Sequence, residues 1–274
     1  MSRLSINQQT VKQLSLPELI RACTAVGVDA VGLWREPVAE YGLVRSAELF
    51  TSAGFSVTSL CRGGFFTAAD PADRRRAIQD NRAAIDETAA LGAPVLVLVA
   101  GGLPAGSRDL RGARAQVVDA IAELAPYAAE RGVRLAIEPL HPMFTSDRCV
   151  VSTLAQSLDI AEQFPVAQVG VCVDTYHLWW DPDLDAGISR AGERIAAYQL
   201  ADWTTPLPAG VLTGRGQIGD GCVDFPAFTE AVLATGYTGP IEVEIFNDEL
   251  WKRDGAAVVA EIAARYPACV GTAS

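Results

Sequence analysis

The sequence predicts an α/β protein folded as a single (β/α)8 TIM barrel over residues 1–274. Three observations predict it. Eight short β-rich runs alternate along the chain with amphipathic, Ala- and charge-rich segments, the signature of parallel strands joined by helices. Half of the residues are hydrophobic and 20% are charged, enough apolar material for a large core and too much for a disordered chain. The first run is followed by QQTVKQLS, not by the glycine-rich turn with which a doubly wound nucleotide-binding sheet usually opens.

The candidate strands are 4–7, 30–34, 56–61, 95–100, 134–138, 169–174, 197–201 and 241–245. The first helix opens at Leu16, with Ser15 as N-cap and Pro17 in the first turn, where its missing N–H costs nothing. Further helical patterns cover 72–91, 110–131, 152–164, 225–235 and 249–266. Gly27, Gly92, Gly132 and Gly236 stand where helices stop, because glycine accepts the left-handed conformation that ends them. One long segment, Asp202 to about Val223, carries TTPLPAG and GRGQIGDG. A loop of that length in a compact fold is usually a lid or binding loop, and its glycines indicate tight turns. No linker, repeat or low-complexity stretch divides the chain.

Composition excludes several functions. A formal net charge of −11 repels phosphate backbones, which argues against a nucleic-acid partner. Six cysteines are scattered without C-x-x-C spacing, so they read as buried reduced thiols rather than a zinc or redox site. The N-terminus MSRLSINQQT lacks a signal-peptide core and no segment has membrane-spanning length. A cytoplasmic protein without a membrane partner is expected.

Barrel chemistry sits where strands end. The fifth strand, RLAIE, ends at Glu138, and the sixth, VGVCVD, at Asp174. The seventh places Gln199 near its end, and the eighth, IEVEIF, carries Glu244. Taken alone, each has a plainer reading. Asp174 suits a turn cap, Glu138 before Pro139 suits a solvent-facing loop, and Glu242 shares parity with Glu244, so one of the two faces the barrel floor. Four oxygen-bearing side chains on consecutive strands at one rim outweigh those readings. Buried carboxylates so grouped need a counter-charge, and an all-oxygen set points to one divalent cation, Mn²⁺ or Mg²⁺ rather than Zn²⁺.

The chain's two histidines, His141 and His177, follow Glu138 and Asp174 by three residues each. They are candidates to bind substrate or to steady a ligand. Trp34 and Glu36 close the second strand and Arg62 follows the third. With Trp179 and Trp180 they suit a carbohydrate or cyclitol pocket; packing of the tryptophans against helices or in a homo-oligomer interface is the alternative.

IEPLHP, VCVDTYH, YQLAD, GRGQIGDG followed by VDF, and GYTGPIEVEIFND resemble the sugar phosphate isomerase/epimerase family, within the xylose isomerase-like barrel superfamily. The resemblance implies that Glu138, Asp174, Gln199 and Glu244 are metal ligands, that His177 is the family's D-x-x-H histidine, and that Arg215 binds substrate. The third ligand is His in the ketose epimerases and Gln in the hydroxypyruvate isomerase branch, and this chain has Gln199. The superfamily's repair endonucleases use a histidine-rich trimetal cluster and a basic groove, which two histidines and this net charge do not match.

The expected activity is a metal-dependent carbohydrate isomerase or epimerase. A cation polarising a carbonyl and its neighbouring hydroxyl acidifies the C–H between them and stabilises an enediolate. Glu138 and Glu244 are the acid/base pair. Proton return to the neighbouring carbon isomerises, return to the opposite face epimerises, and loss of a β-hydroxyl makes the protein a lyase on a keto-cyclitol or related sugar.

Overall fold

The computed structural model describes residues 3–271. Eight parallel strands close into a barrel in sequence order: β1 (Leu4–Asn7), β2 (Ala30–Trp34), β3 (Ser56–Gly64), β4 (Val95–Val99), β5 (Arg134–Glu138), β6 (Val169–Asp174), β7 (Ile195–Leu200) and β8 (Ile241–Val243). Closure is by parallel pairing of β1 with β8, Leu4 opposite Ile241 and Ile6 opposite Val243.

The strand parity explains why apolar runs end in acids. On β6, Val169, Val171 and Val173 point outward into the main core beneath the helices, whereas Cys172 joins a small inner cluster with Cys61, Val95, Val97, Ala136 and Ala197. Alternation then directs Asp174 inward on β6, Glu138 above Ala136 on β5, and Gln199 above Ala197 on β7. Along β4–β7 the interior floor is thus small and apolar, and the layer above it is polar.

Around the barrel lie α1 (Leu16–Ala25), α2 (Arg35–Tyr41), α3 (Leu43–Ser52), α4 (Pro71–Ala90), α5 (Leu110–Ala129), α6 (Leu154–Ala161), α7 (Thr175–Leu178), α8 (Leu184–Ala191), α9 (Phe225–Ala234) and α10 (Gly255–Val270). The expected caps are present: the Glu18 carboxylate accepts the Ser15 N–H at 2.9 Å and its hydroxyl at 2.6 Å. Gly27, Gly92, Gly132 and Gly236 all have positive φ, between 69° and 87°.

Several boundaries differ from the sequence expectation. The last helix starts at Gly255 instead of 249, because the Asp254 side chain caps it by accepting the Ala256 and Ala257 N–H groups. Strand β3 runs on to Gly64 through an irregularity opposite β4. Strand β8 stops at Val243, where the chain turns to bridge Asn247 to Gly214. Helices α2, α3, α7 and α8 were not among the expected patterns. Five of the six cysteines are buried as expected and all six are free, but Cys222 is exposed. No helix among the described residues is long and apolar enough to cross a membrane.

Candidate active site

The carboxyl ends of β5, β6 and β8 deliver Glu138, Asp174 and Glu244 into one buried cluster, each at most 5% exposed. The guanidinium of Arg215 lies between two of them, its Nη1 3.1 Å from Asp174 Oδ2 and 3.3 Å from Glu244 Oε2. Glu138 Oε1 is buried with no hydrogen-bond partner among the described residues. Oxygens of Glu138 and Asp174 and a ring nitrogen of His177 lie within 4.8 Å of one another. Burial, followed by repulsion from Glu244 and Asp174, pushes the Glu138 carboxyl well above its ordinary range. Burial likewise raises Asp174, against the pull of Arg215, and raises Glu244 to about 7.

His177 is buried, and its Nδ1 accepts the backbone N–H of His141 at 3.1 Å. Burial lowers its pKa far below the usual value, and Arg215 adds to this. A neutral ring accepting at Nδ1 carries its proton on Nε2. That atom is 3.8 Å from Glu138 Oε1 and 3.9 Å from Asp174 Oδ2. Arg215 Nη2 also lies within hydrogen-bond distance of it, at 3.2 Å.

One guanidinium and one neutral imidazole face three buried carboxylates. With all three ionised, two negative charges would lack compensation, which is why their pKa values rise, and an acceptor oxygen of Glu138 lies buried without a partner among the described residues. This donor set fits a divalent cation.

Gln199 sits beside this cluster and is turned to the strand floor. Its Nε2 donates to Glu242 Oε1 at 2.9 Å and its Oε1 accepts from Cys172 Sγ at 3.1 Å. Glu242 is the floor carboxylate of the like-parity pair. It also accepts from Asn7 Nδ2 at 2.8 Å, the Thr58 hydroxyl at 2.8 Å and the Ser59 hydroxyl at 2.9 Å. A β-carbon at Gly32 would lie 2.3 Å from Glu242 Oε2, so only glycine leaves room for that carboxylate.

Above the acids opens a cavity of about 150 Å³ whose walls include Trp34, Arg62, Glu138, His177, Arg215 and Glu244. The other predicted substrate contacts are placed differently. The His141 ring stacks with Trp203 at 4.9 Å and meets Trp180 edge-on at 5.4 Å; it reaches the site through its backbone N–H. Glu36 is exposed and outside the cavity wall. Trp179 packs against Trp203 and Trp180 donates to the His177 carbonyl, so both tryptophans serve packing. Arg148, Phe144 and Phe246 line the cavity without having been singled out. Their signal in the sequence is weak, since all three lie in the loops after β5 and β8.

The long loop is ordered around one side chain. The Asp202 carboxylate accepts the N–H groups of Trp203, Gly219, Gly221 and Val223 at 2.7–3.1 Å. Arg215 is fastened on the other side, its N–H donating to the Phe246 carbonyl at 3.1 Å and its own carbonyl accepting from Asn247 Nδ2 at 2.8 Å.

The fold and the site together define a parallel α/β barrel with an acid cluster at its carboxyl face. The profile of the xylose isomerase-like TIM barrel family matches residues 20–265, and the chain belongs to that family. A crystal structure of a Sinorhizobium meliloti protein superposes with a TM-score of 0.94 at 46% identity, covering 97% of this chain and 98% of that one. The 3-dehydroshikimate dehydratase of Pseudomonas aeruginosa is 30% identical over 242 residues, 85% of this chain. This chain spans only 36% of that dehydratase's length. The L-ribulose 3-epimerase of Methylomonas sp. is 28% identical over 225 residues, 80% of this chain and 70% of the epimerase.

Proposed function

We propose that this chain is a divalent-metal-dependent isomerase or epimerase of a small carbohydrate or cyclitol, working by proton transfer next to a carbonyl. The observation that carries the reading is the cluster of Glu138, Asp174 and Glu244, buried together with Arg215 as their one cationic partner. Glu138, Asp174, Glu244 and, after release from Glu242, Gln199 would hold the cation, with Mn²⁺ or Mg²⁺ suited to these oxygen donors. When bound, the cation supplies Lewis acidity that lowers the pKa of a C–H beside a carbonyl.

The chain's own residues do the rest. Glu138 and Glu244 stand on β5 and just beyond β8, on non-adjacent strands of the rim, and would flank a substrate from two sides. One removes the proton and the other, or the same one, returns it. In the metal-free chain burial raises both carboxyls above their ordinary range. His177, neutral and fixed by the His141 backbone, offers Nε2 to a substrate oxygen. Arg215 does the same from the loop, and the apolar wall of Val97, Leu140 and Phe144 excludes water.

The similarity to a 3-dehydroshikimate dehydratase favours a second reading, a lyase that loses a β-hydroxyl after the same proton removal. The two differ in product, because the lyase alone yields an unsaturated species absorbing in the near ultraviolet. The test is a set of ketoses, sugar phosphates and inososes incubated in D₂O with Mn²⁺-loaded protein and followed by NMR. Deuterium uptake beside the carbonyl that stops on chelation supports the reading. Uptake indifferent to chelation sinks its metal dependence, and no uptake on any member sinks the proton transfer.

A further inference from the structure

Arg62 and Arg148 line the same cavity as the acid cluster, and the reaction derived above uses neither. Arg62 is half-buried on β3, its guanidinium stacked over the Phe65 ring at 4.3 Å. It has no hydrogen bond or ion pair within 4 Å among the described residues. Burial lowers its pKa; Glu36 works against that shift and the positive charge of Arg148 works with it. Arg148 is half-buried too, and its one ion-pair contact among the described residues is the exposed Asp147, 3.8 Å away.

The topology brings these two cations to one side of the barrel. The Phe65 N–H donates to the Val99 carbonyl at 2.7 Å, tying the exit of β3 to the exit of β4. Cys149 bridges Gly101 in parallel, and the Val150 N–H donates to the Gly101 carbonyl at 2.9 Å, so the loop after β5 folds back across that exit. Arg148 therefore stands beside the β3–β4 rim, close enough for its charge to act on Arg62, and both line the cavity together with Val97 and Val99. Asp174 and Glu244 lie at the β6–β8 side. Two poorly paired guanidiniums thus share the cavity with Glu138, Glu244 and Arg215.

Two like charges sharing a half-buried wall are costly unless an anion lies between them. Guanidinium forks match planar carboxylate and phosphate oxygens. We propose that the substrate carries an anionic group, a carboxylate or a phosphate, held by Arg62 and Arg148 while its carbonyl end faces the acid cluster. This rests on the proton-transfer reading for the reacting end only; the anion subsite stands on its own residues.

Matched ketoses test it: D-fructose, D-fructose 6-phosphate and 5-keto-D-gluconate, compared by solvent deuterium uptake with Mn²⁺-loaded protein. At least one charged ketose is expected to exchange with kcat/KM about tenfold or more above D-fructose. That ratio should fall about tenfold in Arg62→Ala and in Arg148→Ala, the scale of losing one charge-assisted hydrogen bond, and be partly restored in Arg62→Lys. Which anion leads identifies the source. A ratio near one in the wild type, or a ratio that survives both substitutions, overturns the proposal.

Calorimetric titration of chelator-stripped protein with inorganic phosphate and with malonate gives a readout free of turnover. Saturable binding of one of them that weakens about tenfold in both alanine variants is expected. No binding to the wild type overturns the subsite. Binding that depends on both arginines, with no exchange on any ketose, keeps the subsite and removes the proton-transfer reading.

Discussion

Glu138, Asp174 and Glu244 share one buried space with a single guanidinium, and that imbalance fixes what substitution does at each. Glu138→Gln or Glu244→Gln removes a proton carrier while keeping the volume. Deuterium exchange should fall at least about 100-fold, with an unchanged far-ultraviolet circular dichroism spectrum; exchange at the wild-type rate in both would remove the acid/base roles. The same residues set a pH dependence in metal-free protein. Burial is the largest cause raising all three, so the folded chain holds protons that the unfolded chain has already released. Their stabilising contribution is complete below the unfolded values of about 4 to 4.5 and is lost as pH rises through the folded value, about 7 for Glu244. Glu244→Gln should therefore gain stability over chelated wild type between pH 5 and pH 8, by about 2 kcal/mol. Urea midpoints at the two pH values measure this, and a gain that shrinks with pH would reverse the argument. Glu138, Asp174 and Glu244 were legible because strand parity and rim position show in one sequence. The bond from Gln199 to Glu242 was not legible, since it depends on register between β7 and β8.

At the level of elements, strands read better than helices. Runs such as VLVLV and VGVCVD are short, β-branched and bounded by turn residues, and five of the eight strands start and end where the sequence places them or within one residue. Helices α2 and α3 escaped because Pro37 and Gly42 interrupt a span with no long apolar stripe. Their ends follow local geometry that only the fold reveals, as at Gly42, whose φ is 98°. Two elements near the site give predictions. Asp202→Ala deletes the acceptor of four loop N–H groups. It should destabilise the chain by about 2–4 kcal/mol and speed hydrogen exchange at residues 214–223 more than in the barrel strands. Uniform exchange across both would show that Asp202 does not organise the loop. Gly64 has φ 108°, and a β-carbon there would meet the Val99 carbonyl oxygen at 1.9 Å. Gly64→Ala should cost at least about 2 kcal/mol in urea unfolding, and a neutral result would mean that the β3–β4 junction is not as close as described.

The whole molecule is an acidic barrel that buries three carboxyls together at its carboxyl face. A cation bound there acts on the folded state alone. At a concentration 100 times its dissociation constant it adds about 2.7 kcal/mol, so thermal unfolding should rise by roughly 5–10 °C on Mn²⁺ addition to stripped protein. The gain should vanish in Asp174→Asn. The barrel as a whole was readable from alternation and length, while the identity of the substrate lies in loop residues such as Arg148, whose neighbours in space are distant in sequence. The most direct measurement is anomalous diffraction from a crystal soaked in Mn²⁺. One peak is predicted within about 2.4 Å of oxygens from Glu138, Asp174, Gln199 and Glu244, with Arg215 withdrawn from between Asp174 and Glu244. No peak among those four residues, with Arg215 still bridging the two acids, would contradict the account.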